Sequence, residues 1–88
     1  MIAKEYTISA PQGLHARPAT TLIRLTKSFK SSISLKKADK VVRLNSMLNI
    51  LSMGIKGGEN ISILIDGDDE ISAADAIDQF FKEQLKDL

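Results

Sequence analysis

The sequence predicts an α+β fold: an open-faced β-sandwich, with a four-stranded antiparallel sheet carrying two main helices and one short helix on one face. Three observations lead there. Apolar residues recur with period two around residues 2–8, 33–44 and 61–65, the spacing of half-buried strands. They recur at helical spacing around 16–26 and 73–85, with a shorter apolar cluster at 47–51. Glycine, proline and Asn/Asp/Ser clusters punctuate these stretches in the order β-α-β-β-α-β-α. A sheet covered on one face buries each apolar stripe once and leaves its other face to solvent.

Each element has its own local cause. In the first strand Ile2, Tyr6 and Ile8 share a face, interrupted by Lys4, while Ala3, Glu5, Thr7 and Ser9 take the other. Pro11-Gln12-Gly13 forms a turn, after which Ala16, Ala19, Leu22, Ile23 and Thr26 line one side of a helix, with Phe29 just beyond. Pro18 leaves the helix start open between two places. A proline disfavours helical backbone in the preceding residue, which points to a start at Pro18 capped by Arg17. Ile33 and Leu35, a turn at Ala38-Asp39-Lys40, then Val42 and Leu44 read as a hairpin. Ser46 is a good N-cap for a short helix that Gly54 ends. Gly57-Gly58 turns the chain into a strand marked by Ile61, Ile63 and Ile65. The acids at 68–70 open the last helix, whose stripe is Ala73, Ala74, Ile77, Phe80, Phe81 and Leu85; Lys82 and Lys86 suit its C-terminal dipole.

With 88 residues, 43% of them apolar, the chain is expected to form a single domain over residues 1–88 with an economical core. Such a small body has no room for a deep substrate cleft, so function is expected on the surface. No cysteine is present, so neither disulfides nor thiolate metal sites are available, and the lack of a leader-like or membrane-spanning stretch suits a cytoplasmic protein. The net charge of +1 argues against general nucleic-acid binding or membrane insertion. Charge is unevenly placed, though. Arg17, Arg24, Lys27, Lys30, Lys36, Lys37, Lys40 and Arg43 fall in residues 15–43 against Asp39 alone, whereas 66–88 is acidic. The basic half suits an acidic partner surface or a held anion. No cofactor is implied. One histidine without cysteine excludes the usual zinc sites. Residues 54–58 lack a P-loop's spacing, and a calcium loop begun at Asp66 would meet Ile71 and Ile77 where it needs glycine and glutamate.

Chemistry concentrates in Gly13-Leu14-His15-Ala16-Arg17-Pro18, where a turn becomes a helix. Backbone N–H groups at a helix start have no partner within the helix, and the dipole favours an anion there. Imidazole is a nucleophile, and the Arg17 guanidinium offers a planar fork to phosphate oxygens. Together they suffice to hold a phosphoryl group on nitrogen. Read from spacing alone, His15 is equally a helix-capping surface residue.

Gly13-Leu14-His15-Ala16-Arg17-Pro18-Ala19 strongly resembles the active-site motif of the HPr family, the phosphocarriers of the bacterial phosphotransferase sugar-uptake system. The stretch from Leu44 to Ile55, LNSMLNILSMGI, looks like that family's serine-containing segment. Length and element order agree, and the likeness extends over the whole chain. The resemblance implies a first helix starting near Ala16. It implies phosphorylation of His15 on Nδ1 by enzyme I, itself charged by phosphoenolpyruvate. The group then passes to the A component of a sugar-specific enzyme II, with Arg17 positioning the phosphate. The carrier is then a substrate of other enzymes more than an enzyme itself.

Family members dock both partners through the first helix and the short helix. Arg24 and Lys27 are therefore candidates for a basic rim, and Met47, Leu48 and Leu51 for an apolar centre, with core packing as the alternative for these three. Ser46 matches the serine that a dedicated kinase phosphorylates in many Gram-positive relatives, a modification that recruits a transcription regulator and that a phosphatase reverses. A phosphoserine at a helix N-terminus is stabilised by amides and dipole and adds negative charge to a docking face. Asn45, Met47 and Asn49 depart from the residues expected there, and Ser46 is a good cap without modification. Nothing in the sequence demands an oligomer, so a monomer is expected. Two other readings stay open: a regulatory or nitrogen-related member of the family, and a non-catalytic α/β interaction domain in which His15 is only a cap.

Overall fold

The structure, a computed structural model, describes residues 1–85; Lys86 and Asp87 lie outside the described residues. Its elements are β1 (Ile2–Thr7), α1 (Ala16–Thr26), β2 (Ser32–Lys37), β3 (Lys40–Arg43), α2 (Met47–Ser52), β4 (Asn60–Asp66) and α3 (Glu70–Gln79). A π-helical turn, Phe80–Gln84, continues α3. The four strands form one antiparallel sheet in the order β1-β4-β2-β3, which gives the open-faced sandwich expected of the pattern.

Register decides what the sheet buries. Tyr6 lies opposite Ile61, and Ile65 and Ile63 opposite Ile33 and Leu35, all pointing toward the helices and all buried. Their neighbours Glu5, Ser34, Ser62 and Leu64 form the other face. A slip of one residue would exchange the two sets, so the isoleucine ladder of β4 locks its own pairing. Leu22 and Ile23 of α1, Ile50 of α2 and Ala73, Ala74 and Ile77 of α3 close the core from the opposite side. Tyr6 stacks on Phe81 at 4.6 Å and donates its hydroxyl to Asp78 at 2.6 Å. Phe80 and Phe81 are buried and Phe29 packs against the core, so the described residues leave no aromatic ring on the open face for base stacking.

Two details depart from the local expectations. The first helix starts at Ala16, capped by His15, and not at Pro18. Pro18 occupies the third helical position, where its missing N–H removes a group that has no intrahelical acceptor, so the helix loses nothing. The hairpin turn is confined to Ala38-Asp39, because Lys40 already pairs with Lys37. The acids at 68–70 open α3 as expected, with Asp69 at its N-cap and Glu70 in its first turn, but the Asp69 side chain makes no capping bond. Instead the Asp69 carboxylate accepts from the Lys30 N–H at 2.7 Å, the Ser31 N–H at 2.9 Å and the Ser31 hydroxyl, tying α3 to the start of β2.

A histidine-capped helix start as the candidate functional site

His15 stands in extended backbone at the N-cap of α1, and its side chain makes no capping bond. The Ala19 N–H already bonds the His15 carbonyl at 3.0 Å, and Pro18 has no N–H. Within the helix itself two amides therefore remain without an intrahelical acceptor, those of Ala16 and Arg17. They and the dipole of an 11-residue helix create a positive spot beside the imidazole. His15, Ala16 and Arg17 line an open cleft of about 590 Å³ together with Ala10, Pro11 and Gln12. His15 is half-buried and Arg17 exposed. Arg17 has no ion-pair partner among the described residues, so its guanidinium is available to an incoming anion.

The loop before His15 rests on the segment before β4. The Leu14 N–H donates to the Ile55 carbonyl at 3.2 Å, and Ile8 exchanges two 2.9 Å backbone bonds with Gly58 and Glu59. Gly13 makes the close approach possible. Its φ is +73°, and a Cβ there would lie 2.2 Å from the Ile55 carbonyl oxygen. The Gly13 carbonyl in turn lies 3.2 Å from His15 Nδ1. A carbonyl only accepts, so this contact is a hydrogen bond when Nδ1 carries the proton, which leaves the Nε2 lone pair free. With the proton on Nε2 two lone pairs would face each other, and the contact would not be a hydrogen bond.

The other expected residues fall on the two helices beside this spot. Arg24 lies in the last turn of α1 and Lys27 is its C-cap; both are exposed. Ser46 caps α2, accepting from the Asn49 N–H at 3.4 Å. Core packing does not account for Leu48 and Leu51, which are 76% and 43% exposed. Ile50 is the residue by which α2 enters the core. Met47 is half-buried against the core, and its sulfur lies 3.3 Å from the Thr20 hydroxyl of α1, whose proton goes to the Ala16 carbonyl at 2.8 Å, so the two helices touch there. Pro11 and Gln12 in the cleft wall, the seat of Gly13 and the Thr20–Met47 contact carry no sequence signal of function. They come from segments brought together only by folding.

Among the described residues no cluster of potential ligands could hold a metal ion, and no helix is long and apolar enough to cross a membrane. A family model described as the PTS HPr component phosphorylation site matches residues 2–83. The phosphocarrier protein HPr of Lysinibacillus sphaericus is 31% identical over 77 residues, 88% of each chain. The histidine-containing phosphocarrier protein of a Mycoplasma superposes with a TM-score of 0.90 at 34% identity, over 97% of both chains. An HPr from Thermoanaerobacter tengcongensis, crystallised as a dimer, superposes with a TM-score of 0.75 at 33% identity, over 93% of this chain and 97% of that one. A helix start that offers two amides, an arginine and a histidine, within a fold and sequence matched nearly end to end, places this chain in the HPr family of phosphotransferase-system phosphocarriers.

Proposed function

We propose that the chain relays a phosphoryl group through His15, taking it from phosphorylated enzyme I and giving it to the A component of an enzyme II. The observation that carries this reading is His15 at the N-cap of α1, beside two helical amides without intrahelical acceptors and an arginine with no ion-pair partner among the described residues. A neutral ring nitrogen attacks the donor's phosphorus, and the donor nitrogen leaves with its electron pair. The Ala16 and Arg17 amides and the Arg17 guanidinium meet the charge on the phosphate oxygens. A shallow, open cleft suits transfer between two protein surfaces, since each partner can bring its own residue up to the imidazole. The chain then acts as a carrier that others phosphorylate and dephosphorylate, without a substrate pocket of its own. It works as a monomer in the cytoplasm.

On this reading exposed Leu48 and Leu51 with half-buried Met47 form the apolar centre of the docking face, and Arg24 and Lys27 its basic rim. Ser46 would switch that face if phosphorylated: the dianion would sit at a helix start, which stabilises it, and would repel an acidic partner. A serine kinase and phosphatase, and a transcription regulator that reads the modified serine, complete the proposed set of partners.

The test is incubation with phosphoenolpyruvate and enzyme I, read by intact mass. One added phosphoryl group is expected, labile in acid and absent in His15→Ala. An unmodified chain with a matched enzyme I sinks the relay. With the cognate kinase and ATP, an acid-stable phosphoryl group is expected on Ser46; a chain left unmodified reduces Ser46 to its capping role. Sedimentation should give a single species near 9.6 kDa, and a species of twice that mass would overturn the monomer.

A further inference from the structure

The loop that carries His15 is seated on residues 54–59, and those residues are themselves held by an ion pair to β2. Lys37, the last residue of β2, meets three acceptors: Glu59 Oε2 at 2.8 Å, the Gly54 carbonyl at 3.2 Å and the Met53 carbonyl at 3.4 Å. An ammonium has three protons to give, so this half-buried lysine is fully used. Glu59 is also used on both sides, because its Oε1 accepts from the Lys56 N–H at 2.6 Å. The Lys37 hydrogen bond, then that of the Lys56 amide, hold its carboxyl below the usual range. The segment is thus gripped at its start, through the carbonyls that end α2, and in its middle, through the Lys56 amide.

What rests on it is backbone against backbone. Besides the Gly13 approach, a Cβ on Gly57 would lie 2.6 Å from the Ala10 carbonyl oxygen and 2.8 Å from that of Pro11. Ile55 accepts from Leu14, and Glu59 and Gly58 bond Ile8. No flexible side chain lies between this segment and the Gly13 carbonyl that touches the His15 ring, so a shift in one is transmitted to the other. As a surface ion pair, Lys37–Glu59 would count for little in stability. Its three acceptors and its grip on the segment that seats the loop give it another role.

We propose that Lys37 and Glu59 are positioning residues for phosphoryl transfer at His15, fixing the 54–59 segment that sets the Gly13 carbonyl and hence the orientation of the imidazole. The proposal rests on the relay read above. Because Lys37 also holds the carbonyls at the end of α2, the pair couples the proposed docking helix to the reacting residue.

The experiment compares the native chain with Glu59→Ala, Glu59→Gln, Lys37→Met and Lys37→Arg. Nitrogen-15 spectra of the His15 ring and the Leu14 amide are recorded alongside phosphoryl uptake from phosphorylated enzyme I. In Glu59→Ala and Lys37→Met the two His15 nitrogen signals and the Leu14 amide should move, and the maximal rate should fall about 5- to 10-fold with KM changed less than twofold. Lys37→Arg, which keeps the ion pair, should recover most of the rate. Asp78→Asn is the control, because it removes the charge that Tyr6 and Lys82 bond, away from this loop, and should lower stability without moving the His15 signals. Unchanged His15 signals and maximal rate in folded Glu59→Ala, or losses no larger than those of Asp78→Asn, would overturn the proposal. Should Glu59→Ala fail to fold, Glu59→Gln decides by the same criteria. Should the native chain take up no phosphate, the relay falls, and the ring spectra alone still decide whether the pair positions His15.

Discussion

Gly13 has neither the backbone angle nor the space for any other residue. Its φ of +73° lies in the left-handed region, and its missing side chain leaves room for the Ile55 carbonyl. Gly13→Ala should therefore cost roughly 2 kcal/mol or more, through backbone strain and the displaced contact. Urea unfolding measures that loss, and the His15 ring signals should move with it. A fully stable variant would mean that the loop can reseat elsewhere. Ala38 presents the converse case. It opens the β2–β3 turn with a φ of 53°, a conformation that strains an alanine. Ala38→Gly should stabilise the protein by about 0.5–1 kcal/mol, read as a higher urea midpoint with an unchanged slope.

At the scale of elements, α2 and α3 are held in different ways. The short helix α2 depends on one core residue, Ile50, the Ser46 cap and the Lys37 grip on its last carbonyls. Ser46→Ala should cost about 0.5–1 kcal/mol. Helix α3 is tied to β2 by Asp69, whose carboxyl is held below its ordinary value by the Ser31 hydroxyl first and then by the Lys30 amide. A folded-state pKa below the unfolded one means that the unfolded chain binds the proton more readily, so stability falls as pH falls. The contribution is complete above the unfolded value of about 3.8 and is lost as the pH drops through the lower folded value. Urea midpoints measured from pH 6 to pH 2 should show a steeper acid loss for the native chain than for Asp69→Asn. Parallel curves would mean that Glu59 and Asp78, which are also depressed, carry the acid dependence.

For the whole molecule the uneven charge becomes a docking statement. Arg17, Arg24 and Lys27 have no ion-pair partner among the described residues and lie along α1, beside the exposed leucines of α2. Such a rim speeds encounter with an acidic surface and is screened by salt. Arg24→Glu should weaken binding to enzyme I more at low than at high ionic strength. An equal loss at both, measured by calorimetry, would remove the electrostatic part of the docking model.

The order of elements, the face each strand buries and the helix stripes were legible in the sequence, because periodicity is local: Ile61, Ile63 and Ile65 have only one way to share a face. His15 and Arg17 were legible as an anion-friendly pair for the same reason, since a helix start is a property of a few consecutive residues. Ser46 as a cap belongs to that class too. The tertiary structure decided what depends on distant segments meeting. It settled the start of α1 at Ala16, which the family resemblance implied and local pre-proline preference opposed. It separated Ile50, which is buried, from Leu48 and Leu51, which are not; a six-residue helix has too few turns for its pattern to choose a face. It also linked Lys37 and Glu59 to Gly13 through residues 54–59. No spacing in the sequence could have joined these, because the contacts among them are made by the fold.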